Sequence, residues 1–185
     1  MLPLRAQIYL RVDMNSEFII PLNGLTTGQH EFDWKIGKEF FESFENSEIL
    51  DAELVASVVV EKSGRYLGID CEVTGDVTVE CDRCLDDLLV PIDVEIMLSV
   101  KYGDEESSDE HHEGEREVIF VPETDAEFDM SQIIYDYVCL DLPMQRIHED
   151  GDCNPDVLKH LSAGEAVEAA ADENNPFSAL KDMFK

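Results

Sequence analysis

Ala52-Glu-Leu-Val-Ala-Ser-Val-Val-Val-Glu61, Lys62-Ser-Gly-Arg65 and Tyr66-Leu-Gly-Ile-Asp-Cys-Glu-Val73 follow one another without a break. The two longer runs are rich in β-branched residues, and apolar positions alternate there with Glu53, Ser57, Asp70 and Glu72. A period of two belongs to a strand with one face in a core and the other in water. The short Gly-containing piece between them has hairpin chemistry, so the sheet is predicted to be at least partly antiparallel.

Working outward, similar patterning predicts strands at 7–12, 17–20, 77–80, 88–100 and 118–121. The stretch Trp34 to Asn46 carries Phe40, Phe41 and Phe44 at helical spacing, which predicts a short aromatic-faced helix lying across the sheet. Between Asp129 and Leu142, Ile133, Ile134, Tyr137 and Val138 recur at helical intervals, with Asp129 or Ser131 available as a cap and Pro143 as the stop. The fold class read from this order is α+β: a mainly antiparallel sheet, the aromatic-faced helix, a helix near 130–142 and a helical C-terminal tail.

The chain has 185 residues, 44% of them hydrophobic, enough for one sizeable core. Residues 1–160 are read as a single α+β domain and 161–185 as a weakly tethered tail, with an alanine-rich helix over 158–171 and a short amphipathic piece over 176–185. The run 103–117 has no apolar residue and eight carboxylates, so it is read as a mobile acidic loop, with His111 and His112 solvated rather than metal-bound. Arg5, Arg11 and Asp13 interrupt the apolar N-terminus before a signal-peptide core forms, and no run is long enough to span a membrane. A cytoplasmic location follows as the expectation.

Thirteen Lys and Arg against 43 Asp and Glu give a net charge of −30. Such a field repels phosphate backbones and attracts basic partners, ribosomal proteins being the obvious basic clients; acidity that only confers solubility is the competing reading.

Cys71, Cys81, Cys84, Cys139 and Cys153 are odd in number and unevenly spaced, which argues against a disulfide framework. Cys81-Asp-Arg-Cys84 directly follows a strand, the spacing at which a tight turn aims two thiolates at one tetrahedral zinc. The turn-rich segment after Pro143 offers His148 and Cys153 as the other half, with His160 a rival fourth ligand. No HExxH arrangement supplies an open catalytic zinc with its base, so a bound metal would be one structural zinc. Two other readings stay open: reduced cysteines that pack and bind nothing, and a redox pair, which Asp86, Asp87 and Pro91 disfavour by crowding the turn with charge and leaving room for one helical turn. Cys71 and Cys139, set among apolar neighbours, read as small core residues.

Glu80-Cys-Asp-Arg-Cys-Leu-Asp86, Leu140-Asp-Leu-Pro-Met144, His148, Cys153 and Asn175-Pro-Phe-Ser-Ala-Leu-Lys181, in that order, resemble the YceD family of large ribosomal RNA subunit accumulation proteins. Asn23-Gly-Leu25, Gly28-Gln-His-Glu-Phe32 and Phe40-Phe41 look like the form found in Bacteroidetes-type bacteria. The resemblance implies a part in accumulation or processing of large-subunit rRNA without a known catalytic reaction, and a small basic large-subunit protein as partner. The combined expectation is a non-enzymatic accessory factor that binds a basic ribosomal protein or a pre-ribosomal particle. The alternatives are a direct rRNA-binding module using Arg83, Arg146, Arg5 and Arg11, which the net charge disfavours, and a thiol-redox or zinc-relay protein. Arg83 and Arg146 could touch one or two phosphates at most, and surface ion pairs with the abundant carboxylates are the favoured reading of both.

Overall fold

The structure is a computed structural model that describes residues 18–45, 47–103, 112–114 and 116–165. In chain order these form β1 (Ile19–Pro21), β2 (Gly28–Gly37), α1 (Lys38–Glu42), β3 (Ile49–Ser63), β4 (Tyr66–Glu80), β5 (Asp87–Tyr102), β6 (His112–Glu113), β7 (Arg116–Val121), β8 (Glu127–Asp129), α2 (Ser131–Asp141) and α3 (Pro155–Glu165). Six strands make one sheet in the order β2-β3-β4-β5-β7-β6, and β1 pairs with β8 in a second. Every neighbour is antiparallel except β5 and β7, which run parallel, so the architecture is α+β with a mostly antiparallel sheet.

The hairpin read from the sequence joins β3 to β4, with Ser63 opposite Tyr66 and only Gly64 and Arg65 between them. Gly64 has φ +62, the left-handed region that such a turn requires and glycine tolerates. From there the register sets apolar residues in rows across the sheet, Phe32, Val58, Cys71 and Ile96 in one and Trp34, Ala56, Val73 and Val94 in the next. Burial follows the same period, with Leu54, Ala56, Val58 and Val60 buried along β3 while Glu53, Val55, Ser57 and Glu61 are exposed. The buried face is completed by α1 through Phe40 and Phe41 and by α2 through Ile134 and Val138, all within one core cluster. Phe44 stacks on Tyr135 at 4.0 Å between centroids, linking the α1 turn to α2.

Two elements differ from the sequence reading, and the strand expected at 88–100 is present as β5. Trp34 and Ile36 belong to β2, where they alternate with Lys35, so the aromatic helix is confined to Lys38–Glu42. Residues 66–73 and 77–80 are one strand, because Gly75 stays in the ladder opposite Leu54 and Ile92 with φ +140 instead of turning the chain. A Cβ at Gly75 would overlap the Glu53 carbonyl and meet Leu54 Cα at 3.0 Å, so only glycine fits. β5 begins at Asp87 and runs through Pro91. β7 flanks β5 only over Leu98–Tyr102, and the side chain of Asp141 takes the Asp93 N–H, so Pro91 sits where β5 is an edge and needs no donor.

Of the acidic run 103–117, His112–Glu113 and Arg116–Glu117 are strand, forming the β6–β7 hairpin. Arg116 donates to the carbonyls of Ile69 and Leu98 and pairs with Asp70 at 2.6 Å, fastening β7 across β4 and β5. The helix expected at 130–142 is α2, with Asp129 accepting the Ser131 N–H at 2.8 Å and Leu142 already extended ahead of Pro143. The helix expected over 158–171 appears as α3, which starts at Pro155, a favoured first helical residue, and takes in the first residues of the supposed tail. His111, the strand expected at 7–12 and the piece at 176–185 lie outside the described residues, and no helix among the described residues is long and apolar enough to cross a membrane.

Candidate metal centre

β4 ends at Glu80, and the next six residues, 81–86, turn the chain back into β5. Cys81 N–H donates to Asp86 O and Leu85 N–H to Cys81 O, both at 2.9 Å, so the turn closes on its own backbone. Leu85 adopts φ +61, an unusual left-handed conformation for a leucine. The segment after Pro143 comes to this turn and is clasped by it. Asp82 N–H donates to Arg146 O at 2.7 Å, Arg146 N–H returns a bond to Asp82 Oδ2 at 2.8 Å, and the Arg146 guanidinium holds Glu48 at 2.6 Å.

This clasp brings Cys81, Cys84, His148 and Cys153 together, with their ligand atoms all within 4.8 Å of one another. Cys81 and Cys153 sulfurs are 3.9 Å apart, and His148 Nδ1 lies 3.4 Å from Cys84 Sγ and 3.9 Å from Cys153 Sγ. A tetrahedral zinc with bonds of about 2.3 Å to sulfur and 2.0–2.1 Å to nitrogen requires S···S edges of about 3.8 Å and S···N edges of about 3.6 Å. These three distances lie within about 0.3 Å of those edges, so the side chains are gathered closely enough to receive such an ion. His148 Nε2 lies 3.0 Å from the Asp87 carbonyl; with Nε2 donating to it, Nδ1 presents its lone pair to the sulfurs.

The three cysteines are buried and make a small cluster of their own with Leu88, Val157 and Leu158, apart from the main core. Burial alone would raise the Cys81 thiol, but the backbone N–H groups of Arg83, Cys84 and His148, with the Cys84 side chain, bring it down to about 6. Cys153 is pushed up, first by burial and then by the sulfurs beside it, as expected of thiols crowded together without a cation between them. His148 is held above its usual range, first by the Asp87 carbonyl. Four ligands saturate a tetrahedral ion, and no carboxylate belongs to the group among the described residues. The arrangement can hold one cation and leaves no position for a substrate.

A family model described as large ribosomal RNA subunit accumulation protein YceD matches residues 69–184. This chain belongs to the YceD family. The YceD match takes in all four ligands and most of the chain, but begins inside β4, so the β2–β3 half of the sheet precedes it. No curated protein and no solved structure matches the chain.

Of the residues singled out in the sequence, all four expected ligands meet. His160, the rival, stands exposed on α3 and is not among them. Arg146 is turned inward on Glu48 and Asp82, with its side chain 21% exposed, and Arg83 reaches Asp150 at 4.0 Å, so carboxylates already occupy both guanidinium groups. Arg5 and Arg11 lie outside the described residues. Cys71 is buried in the sheet, its thiol pushed up to about 12 by burial, and Cys139 packs against the core beside Tyr135. The clasp formed by Asp82 and Glu48 escaped the sequence reading. Its only signal was an aspartate within the Cys-x-x-Cys turn, and nothing local pairs that aspartate with a residue 64 positions away.

Proposed function

We propose that this protein is a non-enzymatic accessory factor in large ribosomal subunit biogenesis that binds a basic ribosomal protein or a pre-ribosomal particle. One structural zinc at Cys81, Cys84, His148 and Cys153 fastens the segment after Pro143 to the end of the sheet. The observation that carries the reading is membership of a family described by large-subunit rRNA accumulation, over a span that contains the whole ligand set. The closed four-ligand geometry supports a structural rather than catalytic metal, and the charge of −30 supports a basic partner over bare RNA. The test is a pulldown at physiological salt joined to elemental analysis of untagged protein. Recovery of large-subunit proteins or particles with one zinc per chain is expected, and recovery of neither ribosomal proteins nor particles would sink the reading.

A thiol-redox or zinc-relay role is favoured by one observation, the lowered Cys81 thiol 3.9 Å from Cys153. The two readings separate in a Cys81→Ser, Cys84→Ser variant. Exchange or relay chemistry predicts lost function at a nearly unchanged thermal midpoint, whereas a structural site predicts lost stability.

A further inference from the structure

The face of the sheet opposite the core carries a charge arrangement that the fold does not need. Glu53 stands directly opposite Asp76, and Glu72 opposite Glu95. Like charges at facing positions of an antiparallel pair are destabilising, and among the described residues no ion pair relieves any of these four.

At the knuckle end of the same face the chemistry becomes apolar. Leu85, held in its left-handed turn, is 69% exposed, Leu89 on β5 is 65% exposed and Leu50 on β3 is 39% exposed. Leu50 and Leu85 both line a cavity of about 360 Å³. Two of its acidic lining residues, Glu48 and Asp82, are already bound by Arg146, which leaves Glu80 facing the cavity with no ion pair among the described residues. A cavity of mixed lining, with Leu50 and Leu85 beside Glu80 and the Arg146 ion pairs, thus opens at one end of a track of unneutralised carboxylates. Phosphates would be repelled along such a track, while a cationic polypeptide is attracted, and exposed leucines around a cavity suit the apolar anchor of such a segment.

We propose that this outer face, from the Leu85 turn to the Glu72–Glu95 pair, docks a lysine- and arginine-rich segment of a partner protein that seats one large apolar side chain in the cavity that Leu50 and Leu85 line. The identity of that partner as a ribosomal protein rests on the accessory-factor reading; the surface itself rests on the geometry above.

The probes are a synthetic peptide of lysines and arginines with one central leucine, and its leucine-to-serine counterpart. Each is titrated into the full-length zinc-loaded protein with its leucine and valine methyl groups labelled for NMR. Shifts concentrated at Leu50, Leu85, Leu89 and Val55 are expected, with the serine peptide about tenfold weaker. A Glu53→Gln, Glu72→Gln, Asp76→Asn, Glu95→Gln variant should bind the leucine peptide at least about tenfold more weakly while its thermal midpoint rises, since the like-charge pairs are relieved. A merely structural role for these residues would not move binding and stability in opposite directions. Shifts spread evenly over the acidic surface, equal binding of the two peptides, or an RNA oligonucleotide moving the same methyls would each overturn the proposal. Pulldowns separate its failure from that of the accessory-factor reading. Undiminished capture of ribosomal components by the four-site variant sinks the docking surface alone, and no capture by the unaltered protein alongside positive peptide titrations sinks the ribosomal assignment alone.

Discussion

Removing the proposed zinc should release the segment after Pro143 while leaving the sheet folded, because α3 and the three clustered cysteines are absent from the main core. Ordering the loop from Met144 to Asn154 costs on the order of 10–20 kcal/mol, at about 1–2 kcal/mol per residue. Besides the packing of Leu88, Val157 and Leu158 about the cysteines and the Arg83–Asp150 contact at 4.0 Å, which is exposed and contributes little, its main attachments other than the metal are the two bonds between Asp82 and Arg146, the Arg146–Glu48 pair and the His148–Asp87 bond. At about 1 kcal/mol each they contribute about 4 kcal/mol. A structural zinc contributes about 10–16 kcal/mol at neutral pH, so the proposed ion would decide whether the loop is closed. The assay is trypsin digestion followed by mass spectrometry, with and without a chelator. Cleavage after Arg146, whose own N–H and C=O are both clamped, and after Lys159 should accelerate at least about a hundredfold on chelation. The sheet's thermal midpoint should fall by no more than about 15 °C, from about 4 kcal/mol of lost attachments at about 2–4 °C per kcal/mol. If these bonds stay resistant once zinc is gone, or if the sheet collapses with the loop, the reasoning is refuted.

Other consequences are as direct. Cys153→Ser should lose the bound zinc and, without any chelator, reproduce the same trypsin pattern. Gly75→Ala places a Cβ against the Glu53 carbonyl at a φ of +140 and should cost about 3 kcal/mol or more in urea unfolding; a loss below about 1 kcal/mol would mean that the ladder shifts to make room. Cys71, pushed up to about 12, should resist thiol reagents in the folded protein at pH 8. Its folded pKa is raised, so its favourable contribution is complete below the unfolded value of about 8.5 and is lost as pH rises toward 12; a Cys71→Val variant should show a shallower loss of stability over that interval. Arg116→Met removes the bonds to the Ile69 and Leu98 carbonyls and the pair with Asp70, and should cost about 1–3 kcal/mol; an unchanged urea midpoint would show that β7 is held without it.

How much of this was legible in the sequence depended on whether the signal was local. The β3–β4 hairpin and α2 carry their own periodicity, turn chemistry and caps, and both are present. Thr74-Gly75-Asp76 and Pro91 spell interruption in isolation, yet both sit inside strands because neighbouring chains dictate their geometry: a backbone pressed close at Gly75 and an open edge at Pro91. The aromatic run at 40–44 drew Trp34 and Ile36 into a helical reading, although their alternation with Lys35 fits a strand equally well. The Cys81, Cys84, His148 and Cys153 cluster was readable because cysteine and histidine have few other uses on polar turns. The Arg146 clasp was not, since arginine and aspartate pair anywhere on a surface this acidic.

The separation of the ligands along the chain has a consequence for synthesis. Cys84 and His148 are 64 residues apart, and Cys81 and Cys153 are 72 apart. At about 5–20 residues per second, roughly 3–14 seconds pass between the emergence of the first two thiols from the ribosome and that of their partners. During that interval the β3–β4–β5 meander, whose neighbours are consecutive in the chain, has what it needs to form, while the knuckle at its end waits half-built. Capture of the proposed zinc would thereby be a late event in the life of the nascent chain, after the sheet has what it needs to form.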